Sequence, residues 1–331
     1  MMQIANIKSN LTTLLQSLES PGARDLAWLL FSPTLLQSPL GRHKALPVLT
    51  QFAQNNPSEI VTWLQTMNAS KHTCTPPPTR GFPNKRLGKY FEEVIETVLS
   101  SNAFYAFSGI KCVMRNYQYI ENKVTKGELD YLLQYQDGSV VHVEAAIKFY
   151  LLNRQSSNPK NWHQWLGPNS RDTLGLKLTH MQDKQLTLLD NPKARSEVLE
   201  VLHLPQSTPV TTAYLLKGML FVHWLEQLCL PKHINTEVMT GVWLYESQQF
   251  EFLNTYKKRG FVSTHLEKAA WMGGHYWAET SNPENEVEAY YKAGGAVPYM
   301  LSVVNPVSQE EIRAVVVDDY WPVTNSPSRK I

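Results

Sequence analysis

One short stretch of this chain places acids and a lysine where they could act on the same atom. It runs GELDYLLQYQDGSVVHVEAAIKFY, from Gly127 to Tyr150, and reads as a β-hairpin. A strand alternates its side chains between two faces. In the first arm Leu129, Tyr131, Leu133 and Tyr135 share one face, and Glu128, Asp130, Leu132 and Gln134 the other. In the second arm Val141, Val143, Ala145, Ile147 and Phe149 form an apolar face, and His142, Glu144, Ala146 and Lys148 its reverse. The turn decides which residues meet. A two-residue loop at Asp137-Gly138 sets Asp130 opposite Ala145 and scatters the polar groups. A three-residue loop, Gln136-Asp137-Gly138 with Gly138 left-handed, sets Asp130 opposite Glu144 and Glu128 opposite Ala146. Only the second register makes the two apolar faces coincide, so it is the one expected. It leaves two carboxylates roughly 5 Å apart at Cβ. A hard divalent cation relieves such repulsion, because Mg²⁺ prefers carboxylate oxygen. An exposed acidic face that binds nothing is the plain alternative.

The elements that must carry this hairpin can be read around it. Lys85 to Ser100 is a helix whose stripe is Leu87, Tyr90, Phe91, Val94, Ile95, Val98 and Leu99, with Glu92 bordering the stripe and Glu93 pointing away. Gly109 to Tyr119 alternates weakly and reads as a strand leading into the hairpin. After a polar, aromatic loop, Asn169 or Ser170 can cap a helix that runs to about Leu189. In its stripe of Leu174, Leu178, Met181 and Leu188, Gln185 is the polar interruption, and if buried it must find a partner. Thr211 to Phe221 is another strand. The order over residues 85–224 is therefore helix, three strands, helix, strand.

Before this core, residues 1–70 read as helical. Leu11, Leu14, Leu15 and Leu18 lie at helical spacing, Ser20-Pro21-Gly22 ends that segment, and Arg24 starts a second helix. Thr75 to Thr79, TPPPT, cannot continue a helix and marks a boundary or a strap. After the core, strands are expected near Val242 to Tyr245, Tyr299 to Val304 and Ile312 to Val317, with a frayed end from Thr324 to Ile331.

Composition narrows the classes. The 331 residues are 43% hydrophobic and 18% charged, which describes a globular chain with ample core. A net charge of +2 announces no global basic field for nucleic acid, so any basic surface is local. Cys74, Cys112 and Cys229 are too few and too scattered for a disulfide framework or a zinc finger, and fit a reducing cytoplasm. No apolar run is long enough to span a membrane, and the first residues lack the apolar core of a signal peptide. No nucleophile elbow, phosphate-binding loop or dinucleotide-binding glycine pattern occurs.

The order of elements, with acids on the second and third strands, resembles the PD-(D/E)XK nuclease superfamily, a mixed sheet flanked by helices in the order α-β-β-β-α-β. The whole chain resembles more closely the DUF1853 family of uncharacterised bacterial proteins, assigned to that superfamily. The matching blocks are Arg24-Asp25-Leu26-Ala27-Trp28, Leu87-Gly88-Lys89-Tyr90-Phe91-Glu92, Gly127-Glu128-Leu129-Asp130 and Glu144-Ala145-Ala146-Ile147-Lys148-Phe149-Tyr150. Trp165-Leu166-Gly167-Pro168-Asn169 with Asp172, and Lys217-Gly218 with Phe221, complete the set. The resemblance implies Asp130, Glu144 and the helix-borne Glu92 as ligands of Mg²⁺ or Mn²⁺. It also implies Lys148 as the motif's lysine and Gln185 as the glutamine of the following helix. In such a site the ion lowers the pKa of a water and screens the charge developing on a phosphodiester, while the lysine orients that water or stabilises the transition state. One departure stands out: the motif is Glu-x-Lys, whereas here Ala146 fills the lysine position and Lys148 starts about 6.6 Å further along the strand.

Other residues invite two readings each. His142 is a ligand or phosphate contact, or simply an exposed histidine. Trp162, His163 and Trp165 with Lys160 could stack bases and meet phosphate, or pack as a lid. Asp172 suits the first turn of its helix. Lys257-Lys258-Arg259 is a phosphate contact or a solvated turn. The expectation is an α/β protein in three parts. Residues 1–78 form a helical N-terminal region, 79–224 a PD-(D/E)XK-like mixed-sheet core, and 225–331 an α+β extension packed on it. The expected function is metal-dependent phosphodiester hydrolysis on DNA or RNA. The alternative is a catalytically silent nucleic-acid-binding or protein-interaction module on the same fold.

Overall fold

In the computed structural model, residues 6–46, 48–55, 57–69, 86–275 and 297–322 are described. The Thr75 to Thr79 segment, the expected boundary at residues 78–79, Cys74 and the Thr324 to Ile331 end lie outside them.

Nine α-helices are found among the described residues. Four precede the core: α1 (Asn6–Gln16), α2 (Pro21–Phe31), α3 (Val48–Asn55) and α4 (Pro57–Ala69). The others are α5 (Leu87–Leu99), α6 (Asn102–Ser108), α7 (Leu174–His180), α8 (Pro192–Val201) and α9 (Gln249–Lys257). The strands are β1 (Lys44–Ala45), β2 (Lys111–Glu121), β3 (Val124–Gln134), β4 (Val140–Leu152), β5 (Trp165–Leu166), β6 (Val210–His223), β7 (Met239–Tyr245), β8 (Val262–Leu266), β9 (Tyr299–Val304) and β10 (Glu311–Val317). They form one mixed sheet in the order β2-β3-β4-β6-β7-β10-β9-β8, with β1 on β6 and β5 on β4.

The fold joins all three expected parts by backbone hydrogen bonds. β6 runs parallel to β4 from Val140↔Val210 to Leu151↔Phe221. Its other edge is shared: β1 pairs with Ala213 and Tyr214, and β7 pairs with Met219 to His223. The C-terminal strands thus continue the core's sheet instead of packing against it as a separate body. No helix among the described residues is long and apolar enough to cross a membrane.

Side-chain parity sorts the layers. The odd residues of β4 (Val141, Val143, Ile147, Phe149, Leu151) pack with α2 and α5 in the largest core cluster. The even residues Ala146, Tyr150 and Leu152 pack with Leu174, Leu178 and Met181 of the α7 segment. The face expected to be polar and open is therefore largely covered.

Local chemistry accounts for several element ends. Ser20 does not close the first helix; its Oγ accepts from Ala23 N at 3.4 Å and caps α2, with Pro21 in the first turn. Two further helices escaped the sequence reading although their signals are present. Ser101 caps α6 and a left-handed Gly109 ends it, while Asn191-Pro192 opens α8.

Candidate functional site

The hairpin takes the expected register, with Tyr131 opposite Val143, Leu132 opposite His142 and Leu133 opposite Val141. Gln136-Asp137-Gly138 forms the turn: Tyr135 N donates to Ser139 O at 2.9 Å and Gly138 N to Tyr135 O at 3.0 Å. Gly138 sits at φ 84°, where a side chain would be strained. Beyond Tyr131 and Val143 the ladder stops, which the hairpin alone did not foretell. The Asp130 carboxylate itself takes over the next bond, accepting from Ala145 N at 2.9 Å. Alternation breaks at this point. Leu129 leaves the face of Tyr131 and Leu133 and packs with Leu132, Val140 and the α8 residues Ala194 and Val198. Glu128 does not reach Ala146; it lies opposite Gln118 of β2, whose Nε2 donates to its carboxylate at 3.3 Å. The edge of β4 that faces β3 is therefore left without a ladder from Glu144 until β5 joins at Leu151.

Asp130 and Glu144 meet in this opening, on the same side of the sheet. Glu144 is fully buried. Burial raises Asp130 to about 7, and the neighbouring Glu144 charge adds to the rise. Burial likewise raises Glu144 to about 7, with contacts to the Asp130 amide and carboxyl pulling it partly back. The pair thus retains a proton to near-neutral pH, as close carboxyls withdrawn from water do.

Glu144 is held at both oxygens. His142 Nε2 lies 2.7 Å from Oε1, and Gln185 Nε2 donates to Oε2 at 2.5 Å. His142 is not exposed: it is fully buried, and desolvation lowers its pKa to about 4. It therefore stays neutral and steers Glu144; as a surface phosphate contact it would have to be reachable.

Gln185 arrives by a route that periodicity does not encode. The expected single helix to Leu189 is broken. Thr173, not Asn169 or Ser170, caps α7 by accepting from Leu176 N at 3.1 Å, and α7 ends at His180. A π-helical turn follows over Met181–Gln185, closed by Leu186 N to Met181 O at 2.9 Å. In a continuous α-helix, positions 177 and 185 would lie about 80° apart around the axis. The wide turn absorbs roughly one residue and brings Gln185 onto the side of Lys177, whose Nζ donates to Gln185 Oε1 at 2.9 Å. Lys177 is the residue that sequence reasoning missed. It borders the apolar stripe, and only the fold places its charge beside Asp130, Glu144 and Asp172.

The remaining candidates are placed as follows. Glu92 is half-buried, its charge is felt at Asp130, and its Oε2 accepts from Lys89 Nζ at 2.9 Å. Its turn of α5 is tied to the hairpin by Tyr131 Oη, which donates to the Glu92 carbonyl at 3.1 Å. Lys148 turns to Asp172, with Nζ 2.8 Å from Oδ2, and Tyr150 Oη donates to the same oxygen at 3.2 Å. Asp172 is therefore an ion-pair partner outside α7, and a Cβ on Gly167 would collide with its carboxylate. Ala146 is buried in the same apolar cluster as Leu178 and Met181 of the α7 segment, so a lysine there would begin its side chain inside that layer. Trp165 is fully buried with Nε1 donating to Pro159 O at 2.9 Å, and Trp162 Nε1 donates to Lys232 O at 3.3 Å. Both act as loop packing, and the completely buried Trp165 can stack no base.

Among the described residues no group of three or more His, Cys, Asp or Glu side chains forms a ready-made metal cage. What is assembled is an oxygen pair with a third acid nearby. That donor set suits Mg²⁺ or Mn²⁺ better than zinc, since Mg²⁺ keeps several waters and takes only one or two carboxylates.

No curated protein and no solved structure matches the chain. A family model described as "Domain of unknown function (DUF1853)" matches residues 24–314, from the α2 helix to β10, and so takes in every residue of the site. The chain belongs to the DUF1853 family.

Proposed function

We propose that this protein is a divalent-metal-dependent phosphodiesterase acting on nucleic acid, built on a PD-(D/E)XK-like core. The observation that carries the reading is the meeting of Asp130 and Glu144 where β3 leaves β4, with both carboxyls held above their ordinary range. Evolution rarely keeps two acids buried against each other unless a cation or a proton is part of the function. The order α5-β2-β3-β4-α7-β6 supports the fold assignment, with α6, β5 and α8 as additions.

Asp130 and Glu144 would hold the ion, with Glu92 joining on release from Lys89. When bound, Mg²⁺ or Mn²⁺ supplies Lewis-acid charge for the phosphodiester and a more acidic water. The chain's own groups do the rest. His142 and Gln185 fix the Glu144 carboxylate, the buried α7 layer limits solvent behind it, and a lysine at the rim offers positive charge to the phosphate. A second reading, a silent binding module on the same fold, draws on Ala146 in the lysine position and on both Glu144 oxygens already being engaged.

Calorimetry with Mg²⁺ and Mn²⁺, alongside cleavage assays on single- and double-stranded DNA and RNA, separates the two. The nuclease reading expects metal binding and strand cleavage that Asp130→Ala and Glu144→Ala each abolish. Absence of metal binding to the wild type sinks it, and binding without cleavage of any nucleic acid favours the silent module.

A further inference from the structure

Two lysines flank the acid pair, and the protein treats them differently. Lys148 lies on the same strand as Glu144, yet its ammonium is spent on Asp172, 2.8 Å away. Asp172 is held for that purpose by Tyr150 Oη and by the tight loop in which Gly167 N donates to Asp172 O at 2.9 Å. The result is a strut from β4 to the segment just before α7. Lys177 comes from α7 itself. Its hydrogen-bond partner is the Gln185 amide, a neutral group, and that amide's other end donates to Glu144. A cation bonded to an amide keeps its full charge for something else, whereas one bonded to a carboxylate does not. Lys177 also stands among Asp130, Glu144, Asp172 and Lys148, where burial, followed by the Lys148 charge, lowers its pKa while the three acids oppose that. Such a group is stabilised by an arriving anion more than an exposed lysine would be.

We propose that Lys177, and not Lys148, is the residue that meets the negative charge of a phosphodiester at this site, with Lys148, Asp172 and Tyr150 serving as a strut that sets the position of α7. The assignment rests on the phosphodiesterase reading for its substrate class. It accounts for the departure at Ala146: the charge expected from the strand is delivered by the helix that covers it. Gln185 then has two tasks, orienting Glu144 and aiming Lys177, which explains why a π turn is kept to bring it there.

The test uses the full chain as wild type, Lys177→Met, Lys177→Arg, Lys148→Met and the exposed control Lys184→Met. A short fluorescein-labelled oligonucleotide, single-stranded and as a duplex, is titrated in EDTA by anisotropy. Cleavage is then followed after Mn²⁺ addition. Expected are a roughly tenfold weaker Kd for Lys177→Met in EDTA and a fall of about a hundredfold in kcat with Mn²⁺. Lys177→Arg should recover most of the binding, and Lys184→Met should match wild type. Lys148→Met should lower the melting temperature while weakening binding no more than about threefold. Unchanged binding in Lys177→Met, an equal loss in Lys148→Met, or no binding by the wild type overturns the assignment. Lys177-dependent binding with no cleavage by the wild type leaves the assignment standing and removes the phosphodiesterase reading. Cleavage that Lys177→Met leaves intact does the reverse.

Discussion

Asp25 and Glu144 are both completely buried carboxylates, one on each side of the central sheet. Asp25 is met by donors: Tyr90 Oη at 2.6 Å and Gly273 N at 2.9 Å. Beside it Arg24, also buried, donates to the carbonyls of Leu18 and Glu19 at 2.6 and 2.9 Å. This network ties α2 to α5 and to the chain at Gly273, and its partners are fixed protein groups. Glu144 has a histidine and an amide, but it also has another carboxyl, Asp130, in front of it. The contrast separates two uses of a buried acid. Where the fold supplies donors, the acid is an internal fastener. Where the fold supplies a second acid, burial and mutual repulsion leave the pair holding a proton to near-neutral pH.

The largest expected effect tests the fastener. Asp25→Ala removes the acceptor for two buried donors and should cost about 3–5 kcal/mol in urea denaturation. A loss below about 1 kcal/mol would erase the distinction between the two acids. The second effect has the opposite sign. Glu144 has its folded-state pKa raised to about 7 from 4.5. Its protonated form therefore stabilises the fold fully below pH 4.5, and that contribution is lost as pH rises through about 7. Glu144→Gln should then be more stable than wild type at pH 8 without metal, by about 2–3 kcal/mol. The gap should close as pH falls below 4.5. Thermal melts across that range decide it, and a destabilised Glu144→Gln at pH 8 would make this acid a fastener too. The smallest effect on stability belongs to Gln185→Ala, about 1 kcal/mol or less for a half-buried amide. In metal titrations the same variant should weaken affinity about 10–100-fold, as loss of a ligand's supporting hydrogen bond does.

How far the sequence foretold this contrast depends on the range of the interaction. The hairpin register was legible because Asp137-Gly138 and strict alternation are local, and the α5 stripe and the strands β7, β9 and β10 were legible for the same reason. Asp25 gave no sign of its role, since its donors come from residues 90 and 273. His142 was expected at the surface because nothing on β4 announces that α7 will cover its polar face. The sheet's continuation through β7 was equally hidden, because parallel neighbours are set by crossover connections and not by strand composition. Lys177 fell between the two cases. Its helix was expected, but the side on which it would matter depended on the π turn. The strand β8 passed unnoticed, with two apolar residues, Val262 and Leu266, bracketing a polar interior.

That turn makes the coupling between α7 and the acids a matter of chain length. Removing one residue between Met181 and Gln185 would let the helix run on as ordinary α. The apolar residues before it would stay seated on β4 and β6, and Gln185, then only seven positions on from Lys177, would keep within about 20° of its side. It is the relaxation of the turn to ordinary α at the present length that would swing Gln185 about 80° from Lys177. Helix type and chain length are thus matched here, and related chains one residue shorter should place the glutamine with a plain α-helix.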